Sequence, residues 1–344
     1  MSRAISSILR AATRKPDEPL NVLCTVIHEA YQQNLSRTGH NFWLVPTPHL
    51  KTTWNEAFRP RPENFRWLSL KDDRLQIPSH VRPDLVMAEH KFGAFQMLLP
   101  IANGLQIPLL SLEHTLPVPT WPAQVLANRK AMRGHRNVFI SEFSRAKWGW
   151  TPEEADVVHH GVDTALFCPG PAEAVQAHVL SVANDLNDPP RHFCCGWPFW
   201  QEVTRGLPVR HLGTSKDGFS KPANGPANLA QAYRDCTVFI DTAASSPIPT
   251  VVLEALASGC VVLSRGNAMV PEVIQDGVNG FIREDPREFR LLLDDIMRRP
   301  EAYQHVRAEA RRTIEERFSL QAFVRNWGRV LRETADIPWR GSPC

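Results

Sequence analysis

One stretch constrains this chain more than any other: Ser245 to Gly280, SSPIPTVVLEALASGCVVLSRGNAMVPEVIQDGVNG. It opens with a loop, Ser245-Ser246-Pro247-Ile248-Pro249. An apolar helix pattern follows, with Val251, Val252, Leu253, Leu256 and Ala257 around a single acid, Glu254. Gly259 ends the pattern as a C-terminal glycine does. The all-apolar run Cys260-Val261-Val262-Leu263 reads as a buried parallel strand, and Val238-Phe239-Ile240 ahead of the loop reads as another. Strand, tight loop, helix and strand make a βαβ unit whose loop and helix N-terminus lie at the carboxyl end of a parallel strand. Free backbone N–H groups and the helix dipole favour a phosphate there. The lone acid one turn into the helix is placed to take two hydroxyls of a ribose.

The chain has 344 residues, more than one ordinary core holds, which implies two domains. An apolar fraction of 43% and a charged fraction of 22% are those of a globular protein. No run of about 18 apolar residues occurs, so no integral membrane segment is expected. A net charge of +3 is too small to imply a partner by itself. The cysteines (24, 168, 194, 195, 236, 260, 344) are odd in number and lie mostly inside apolar runs. They read as reduced thiols of a cytoplasmic protein. Cys194-Cys195 lack a Cys-x-x-Cys partner, and no metal site is expected. The opening MSRAISSILRAATRKP carries Arg3, Arg10, Arg14 and Lys15 with no acid, and Ile5, Ile8, Leu9 and Ala12 fall at helical spacing. A secretory signal needs a longer apolar centre. The favoured reading is a frayed basic arm; an amphipathic contact with an anionic surface and a transit peptide are the alternatives.

The Ser245–Gly280 stretch resembles the donor-binding signature of glycosyltransferase family 4 and its relatives, two-domain enzymes of the GT-B fold. That signature is a Glu, a Gly-Phe-Pro-like loop and a second Glu eight positions after the first, then Ala, a hydrophobic residue, Ala and Gly. Pro249, Glu254, Ala255, Ala257 and Gly259 match it. Pro271-Glu272-Val273-Ile274 and Asp276-Gly277-Val278-Asn279-Gly280-Phe281 match its usual continuation. Ser246 stands where the first Glu, which touches the transferred sugar in the family, is absent. Upstream, Asp156 to Phe167, DVVHHGVDTALF, resembles the turn that closes the N-terminal domain of the family, and Pro169-Gly170-Pro171 mark a hinge.

The resemblance implies an α/β protein of GT-B fold, with two Rossmann-like domains whose parallel sheets face across a cleft. Residues 1–20 would be a basic arm, 21–170 the acceptor domain, 171–317 the nucleotide-sugar donor domain, and 318–344 a terminal helix crossing back. Phe323, Trp327 and Leu331 in that helix have the spacing for packing. Asn21–Ile27, His40–Val45, Pro83–Ala88, Pro108–Leu112 and Asn137–Ile140 read as strands of the first half. No glycine-rich loop follows the first of them, so this half is not expected to hold the nucleotide. His28 and Glu29 end that strand; they either touch the acceptor hydroxyl, as the resemblance implies, or cap the next helix. His114 ends a later strand, where family members place a His that reaches toward the donor sugar; local satisfaction is the alternative. His28, Glu29 and His114 are the catalytic candidates.

In the second half, relatives carry an Arg and a Lys that neutralise the donor diphosphate. Arg191 is the counterpart of the Arg, and Lys216 or Lys221 stands in for the missing Lys. The donor-binding set is Arg191, Lys216, Ser246, Ile248, Pro249, Thr250, Val251 and Glu254. Trp197, Phe199 and Trp200 read as helix packing. Two stretches mix bases with aromatics: 51–74, with Trp54, Phe58, Phe65 and Trp67, and 129–147, with Arg129, Lys130, Arg133, Arg136, Arg145 and Lys147, which Trp148 and Trp150 follow. The first is either an acceptor loop with stacking platforms or an irregular segment with buried aromatics. The second suits ordinary surface or an anionic acceptor such as a DNA backbone.

Transfer of a sugar from a nucleotide-sugar, with a UDP-sugar as co-substrate and no other cofactor, to an acceptor hydroxyl is the function implied. By resemblance it retains configuration, with the donor diphosphate helping to deprotonate the acceptor. Inversion with His28 or Glu29 as general base stays open because the first Glu is missing. The acceptor is open between a hydroxymethylated base in DNA, as in a phage-type DNA-modifying member, and a cell-envelope polysaccharide or lipid. A non-catalytic nucleotide-sugar-binding protein and a sugar-nucleotide epimerase are the readings from other classes. Oligomeric state is not legible.

Overall fold

Short apolar runs separated by amphipathic helices leave one economical solution, parallel sheets covered on both faces. The computed structural model describes residues 3–47, 53–56, 59–91, 93–118, 120–171, 176–245, 250–267 and 269–343. They form two compact units, residues 1–159 with 323–344, and residues 160–322.

The first unit contains α1 (Arg3–Thr13), β1 (Asn21–Cys24), α2 (Glu29–Ser36), β2 (Asn41–Leu44), β3 (Phe65–Trp67), β4 (Ser69–Lys71), β5 (Arg74–Gln76), β6 (Leu85–Ala88), α3 (Ala94–Leu105), β7 (Leu109–Glu113), α4 (Ala123–Ala131), β8 (Arg136–Phe139), α5 (Glu142–Lys147) and β9 (Asp156–Val157). Its sheet runs β3-β2-β1-β6-β7-β8-β9, parallel throughout. Leu23, Val86, Phe95, Leu98 and Leu109 centre its core.

The second unit contains β10 (Gln176–Val182), α6 (His192–Cys195), α7 (Trp197–Thr204), β11 (Val209–Leu212), α8 (Pro226–Asp235), β12 (Cys236–Asp241), α9 (Thr250–Ala257), β13 (Val261–Ser264), α10 (Val270–Val273), β14 (Phe281–Ile282), α11 (Pro286–Arg298) and α12 (Gln304–Arg317). Its parallel sheet runs β11-β10-β12-β13-β14 over a core that includes Val179, Val238, Leu263, Phe289 and Leu293. Strand order reverses at β10, which makes the carboxyl ends of β10 and β12 a crevice. These are the paired Rossmann-like units of a GT-B fold.

Several elements differ from the sequence expectation. The terminal helix expected over 318–344 is shorter: a helical turn and α12 stop at Phe318, and α13 (Leu320–Ala335) begins after Ser319. Val162 causes the break, because its N–H donates to the Phe318 carbonyl and its carbonyl accepts from Leu320 N–H. Phe323, Trp327 and Leu331 of α13 are buried. Phe323 lies edge-on to Tyr31 of α2, with ring centroids 5.2 Å apart. The stretch 51–74 forms a seventh strand and a hairpin. Asp72 and Asp73, at φ 49° and 56°, make the turn between β4 and β5. Trp54 and Phe65 are buried, Phe65 stacked on Phe42 at 4.4 Å, while Phe58 lies outside the described residues. The N-terminal arm is helical rather than frayed: Arg10 (3.3 Å) and Arg14 (2.8 Å) both pair with buried Asp84. No helix among the described residues is long and apolar enough to cross a membrane.

Candidate functional site

The crevice of the second unit holds a cavity of about 370 Å³. Its walls come from the carboxyl ends of β10 and β12, from α6 and from the first residues of α9. Ser181, Ala183, Asn184, Arg191, Cys194, Cys195, Trp200, His211, Asp241, Thr242, Thr250 and Val251 are among its lining. Thr250 and Val251 begin α9, so their backbone N–H groups belong to the first turn, which has no intrahelical acceptor. Arg191 closes the other side. Its side chain is 45% exposed, and the carboxylate beside it, Asp185, stands 3.8 Å away. A cation and a helix N-terminus therefore line one small polar cavity, the arrangement that suits a phosphate.

Two buried networks shape the floor. Trp200 Nε1 donates to Ser181 Oγ at 3.0 Å, and Ser181 Oγ lies 2.7 Å from His211 Nδ1. His211 Nε2 lies 3.1 Å from the Ala183 carbonyl. A carbonyl only accepts, so Nε2 carries the proton and Nδ1 accepts from the serine hydroxyl. Burial lowers the His211 pKa to about 4, which keeps the ring neutral. The second network centres on Asp241, at the end of β12. It accepts from Ser264 Oγ at 3.0 Å, Asn267 Nδ2 at 3.1 Å and Ala243 N–H at 3.2 Å. Burial raises its pKa to about 6, against the opposing pull of those donors. The loop after β12 is also clamped to α6, because Ala244 and Ser245 N–H groups donate to the Cys194 carbonyl at 2.8 and 3.2 Å.

The first unit gathers titratable groups at the carboxyl ends of β1, β6 and β7. His28 caps α2: its Nδ1 accepts from Tyr31 N–H at 3.2 Å. Glu89 is fully buried and accepts from Gln32 Nε2 at 2.8 Å, and desolvation pushes its pKa well above the ordinary carboxylate range. Glu113 is buried too and accepts from Thr115 Oγ1 at 2.6 Å and Lys91 N–H at 3.0 Å. His114 sits edge-on to Tyr31 at 4.5 Å. Burial, then repulsion from His28 and His90, lowers its pKa to about 3. Burial thus works against the charged form of His28, Glu89, His90, Glu113 and His114 alike.

Residues 210–313 match the family model described as Glycosyl transferases group 1. This chain carries a glycosyl transferases group 1 domain. The D-inositol 3-phosphate glycosyltransferase of Segniliparus rotundus is 25% identical over 322 residues, 80% of this chain and 67% of that protein. Spore coat protein SA of Bacillus subtilis is 27% identical over 105 residues, 29% of this chain and only 28% of that protein's length. Among solved structures, Anabaena Alr3699/HepE in complex with UDP and glucose superposes with a TM-score of 0.69 at 15% identity, over 91% of this chain and 98% of that one. Sucrose-phosphate synthase from Thermosynechococcus elongatus gives 0.69 at 12% identity, over 92% and 98%. At these identities the likeness is one of fold. The domain and the glycosyltransferase relatives together mark the chain as a glycosyltransferase enzyme.

Within the second unit, Arg191, Thr250 and Val251 come together around the cavity. Ser246, Ile248 and Pro249 lie outside the described residues. Glu254, a turn further along α9, is not among the lining residues; its Oε2 accepts from Tyr233 Oη at 3.2 Å. Lys216 is mostly exposed, and its Nζ is tied to Asp188 at 2.7 Å. His28, Glu29 and His114 belong to the other unit. Glu29 Oε1 accepts from Asn55 N–H at 3.1 Å. Asp241, Ser181, His211 and Trp200 were not singled out from sequence, Trp200 having been read as packing alone. Asp241 did leave a signal: an acid ending the apolar run Val238-Phe239-Ile240 needs a reason to be there.

Proposed function

We propose that the chain transfers a sugar from a UDP-sugar to a hydroxyl of a glycan or lipid, without DNA as its acceptor. One observation carries the donor half: Arg191 and the α9 N-terminus line a single cavity at the carboxyl ends of β10 and β12. The bond that breaks joins the sugar to the diphosphate, and charge develops on the leaving phosphate. A guanidinium and backbone N–H groups aimed there stabilise the transition state more than the ground state. Support from outside the chain is that Alr3699/HepE was solved with UDP and with UDP-glucose. Glu254 suits the ribose diol: it is a carboxylate one turn along α9 from the residues that line the cavity, held by Tyr233 Oη at 3.2 Å.

Retention is the favoured stereochemistry. The Nδ1 lone pair of His28 is committed to Tyr31 N–H, which leaves a proton on Nε2. The ring nitrogen that could take a proton is thus engaged, so a base from elsewhere, the donor diphosphate, fits better. Burial also opposes charge on His114 and Glu89, in the same unit as His28.

The glycan or lipid acceptor is favoured because the basic stretch is internally engaged. Arg129 lies over Trp121 at 4.4 Å, and Arg133 pairs with Glu154 at 3.0 Å. Arg136 pairs with Asp156 at 2.7 Å, and Arg145 with Glu142. Cations so placed make a weak phosphate-tracking surface. The experiment is UDP release from a panel of UDP-sugars, with a lipid extract, an oligosaccharide mixture, hydroxymethylated DNA or plain DNA as acceptor. Release stimulated by lipid or oligosaccharide is expected. Stimulation by modified DNA alone overturns the acceptor, and release with GDP- or ADP-sugars alone overturns the donor.

A further inference from the structure

The α9 helix has the donor cavity at its N-terminus and a second cavity, of about 670 Å³, at its C-terminus. We propose that this second cavity binds a phosphate anion, free or as a small phosphate monoester. Arg234, Arg307 and Arg311 line it, and Glu301 is the acid among the described lining residues.

Much of this cationic set serves the fold. Arg307 donates to the carbonyls of Thr237 at 2.7 Å and Gly259 at 3.3 Å, and Arg311 to those of Ala257 at 2.7 Å and Thr164 at 3.0 Å. Arg311 is also neutralised by Glu315 at 2.6 Å. That duty leaves three things unexplained. Arg307 Nε is shielded from solvent and has no hydrogen-bond partner among the described residues. Ser258, only 4% exposed, lines the cavity, and its buried Oγ likewise has no partner among them. Arg234 and Arg307 have no carboxylate within ion-pair distance among the described residues; Arg234 binds Gln231 Oε1 and the Leu166 carbonyl instead.

Two guanidiniums without a carboxylate partner among the described residues line one cavity, beside a buried Nε–H and a buried hydroxyl that lack partners there, and an anion seated in it would complete the set. Phosphate fits because it accepts from several planar guanidinium donors and from a hydroxyl at once. The volume admits a monoester as well as the free ion. This inference does not depend on what the first cavity binds.

The test is calorimetric titration of the full chain with inorganic phosphate and, separately, glycerol 3-phosphate, at constant ionic strength, with and without saturating UDP. One site unaffected by UDP and by Arg191→Ala is expected. Arg234→Gln should weaken it about tenfold and Ser258→Ala severalfold, with melting curves confirming that both variants fold. Tighter glycerol 3-phosphate binding identifies the monoester as ligand; equal binding identifies the free ion. No binding, displacement by UDP, or binding unchanged in both variants overturns the proposal.

Discussion

The phenol hydroxyl of Tyr233 donates to Oε2 of Glu254 across 3.2 Å, joining α8 to the second turn of α9. Tyr233 is buried, and desolvation raises its pKa, so the phenol remains a donor at any working pH. If Glu254 takes the ribose, the bond fixes its rotamer before the donor arrives. Glu254→Ala should weaken UDP binding about a hundredfold, and Tyr233→Phe severalfold. Because both act through one carboxylate, the double variant should bind no worse than Glu254→Ala. Calorimetry with UDP measures all three. Additive losses in the double variant would mean that the tyrosine acts elsewhere.

Arg191 and Lys216 should separate cleanly, although sequence placed them in one role. Arg191 lines the cavity, whereas Lys216 is bound to Asp188 and 73% of its side chain is in water. Arg191→Ala should lower turnover of a UDP-sugar by about two to three powers of ten, the usual cost of a lost transition-state donor. Lys216→Ala should stay within about threefold of the parent. Steady-state UDP release decides it; equal losses would restore Lys216 to the phosphate.

The α9–β13 segment was legible because each of its signals is local. An apolar period, one glycine and an apolar run define it, and Gly259 closes α9 in the way its sequence position demands. Its N–H donates to the Leu256 carbonyl and that of Cys260 to Ala255, each at 3.0 Å, with φ +70° at the glycine. Parallel strands buried on both faces were legible for the same reason. The cavity floor was not. Ser181, Trp200, His211 and Asp241 come from four separate elements, and only the sheet brings them together. The docking of α1 was hidden similarly, since Arg10 and Arg14 meet Asp84 across some seventy residues. The strand β3 was masked by the mixed bases and aromatics around it.

Asp241 predicts a pH dependence of donor binding. Its folded pKa of about 6 lies above its ordinary value, so the carboxyl keeps its proton up to that pH and becomes an anion above it. An anion in the cavity wall opposes a diphosphate. UDP-glucose is the right probe, because its diphosphate does not titrate near pH 6. Its affinity should fall about tenfold between roughly pH 5 and roughly pH 8, and Asp241→Asn should flatten the profile. A flat profile in the parent would mean that Asp241 does not feel the ligand.

Gly196 and Gly206 share a backbone conformation, at φ +73° and +74°, yet differ in surroundings. A Cβ on Gly196 would come within 1.9 Å of the Thr242 carbonyl, while one on Gly206 meets nothing within 4 Å. Gly206→Ala should cost about 1–2 kcal/mol, the strain of the left-handed region alone. Gly196→Ala should cost more than about 3 kcal/mol and also weaken UDP, because it pushes apart the loop and turn that wall the cavity. Urea midpoints give the first comparison and calorimetry the second. Equal stability losses would show that the close approach relaxes freely.

His114 predicts how acid acts on the first unit. Burial holds its folded pKa at about 3, below the ordinary value near 6.5. The ring is therefore neutral in the fold, while the unfolded chain takes up a proton below about pH 6.5. Its stabilising contribution is complete above that pH and declines as pH falls toward 3, at up to about 1.4 kcal/mol per pH unit. His40, lowered by burial to about 4, adds a loss of the same sign. Glu89 acts in the opposite sense, since burial raises its folded pKa and lowering the pH then favours the fold. His114→Phe keeps a ring against Tyr31 and removes the titration. Urea unfolding from roughly pH 7.5 down to roughly pH 5 should show a shallower decline in the variant, with a small loss of stability at the upper end. An unchanged slope would place the acid sensitivity in His40 and the other buried histidines instead.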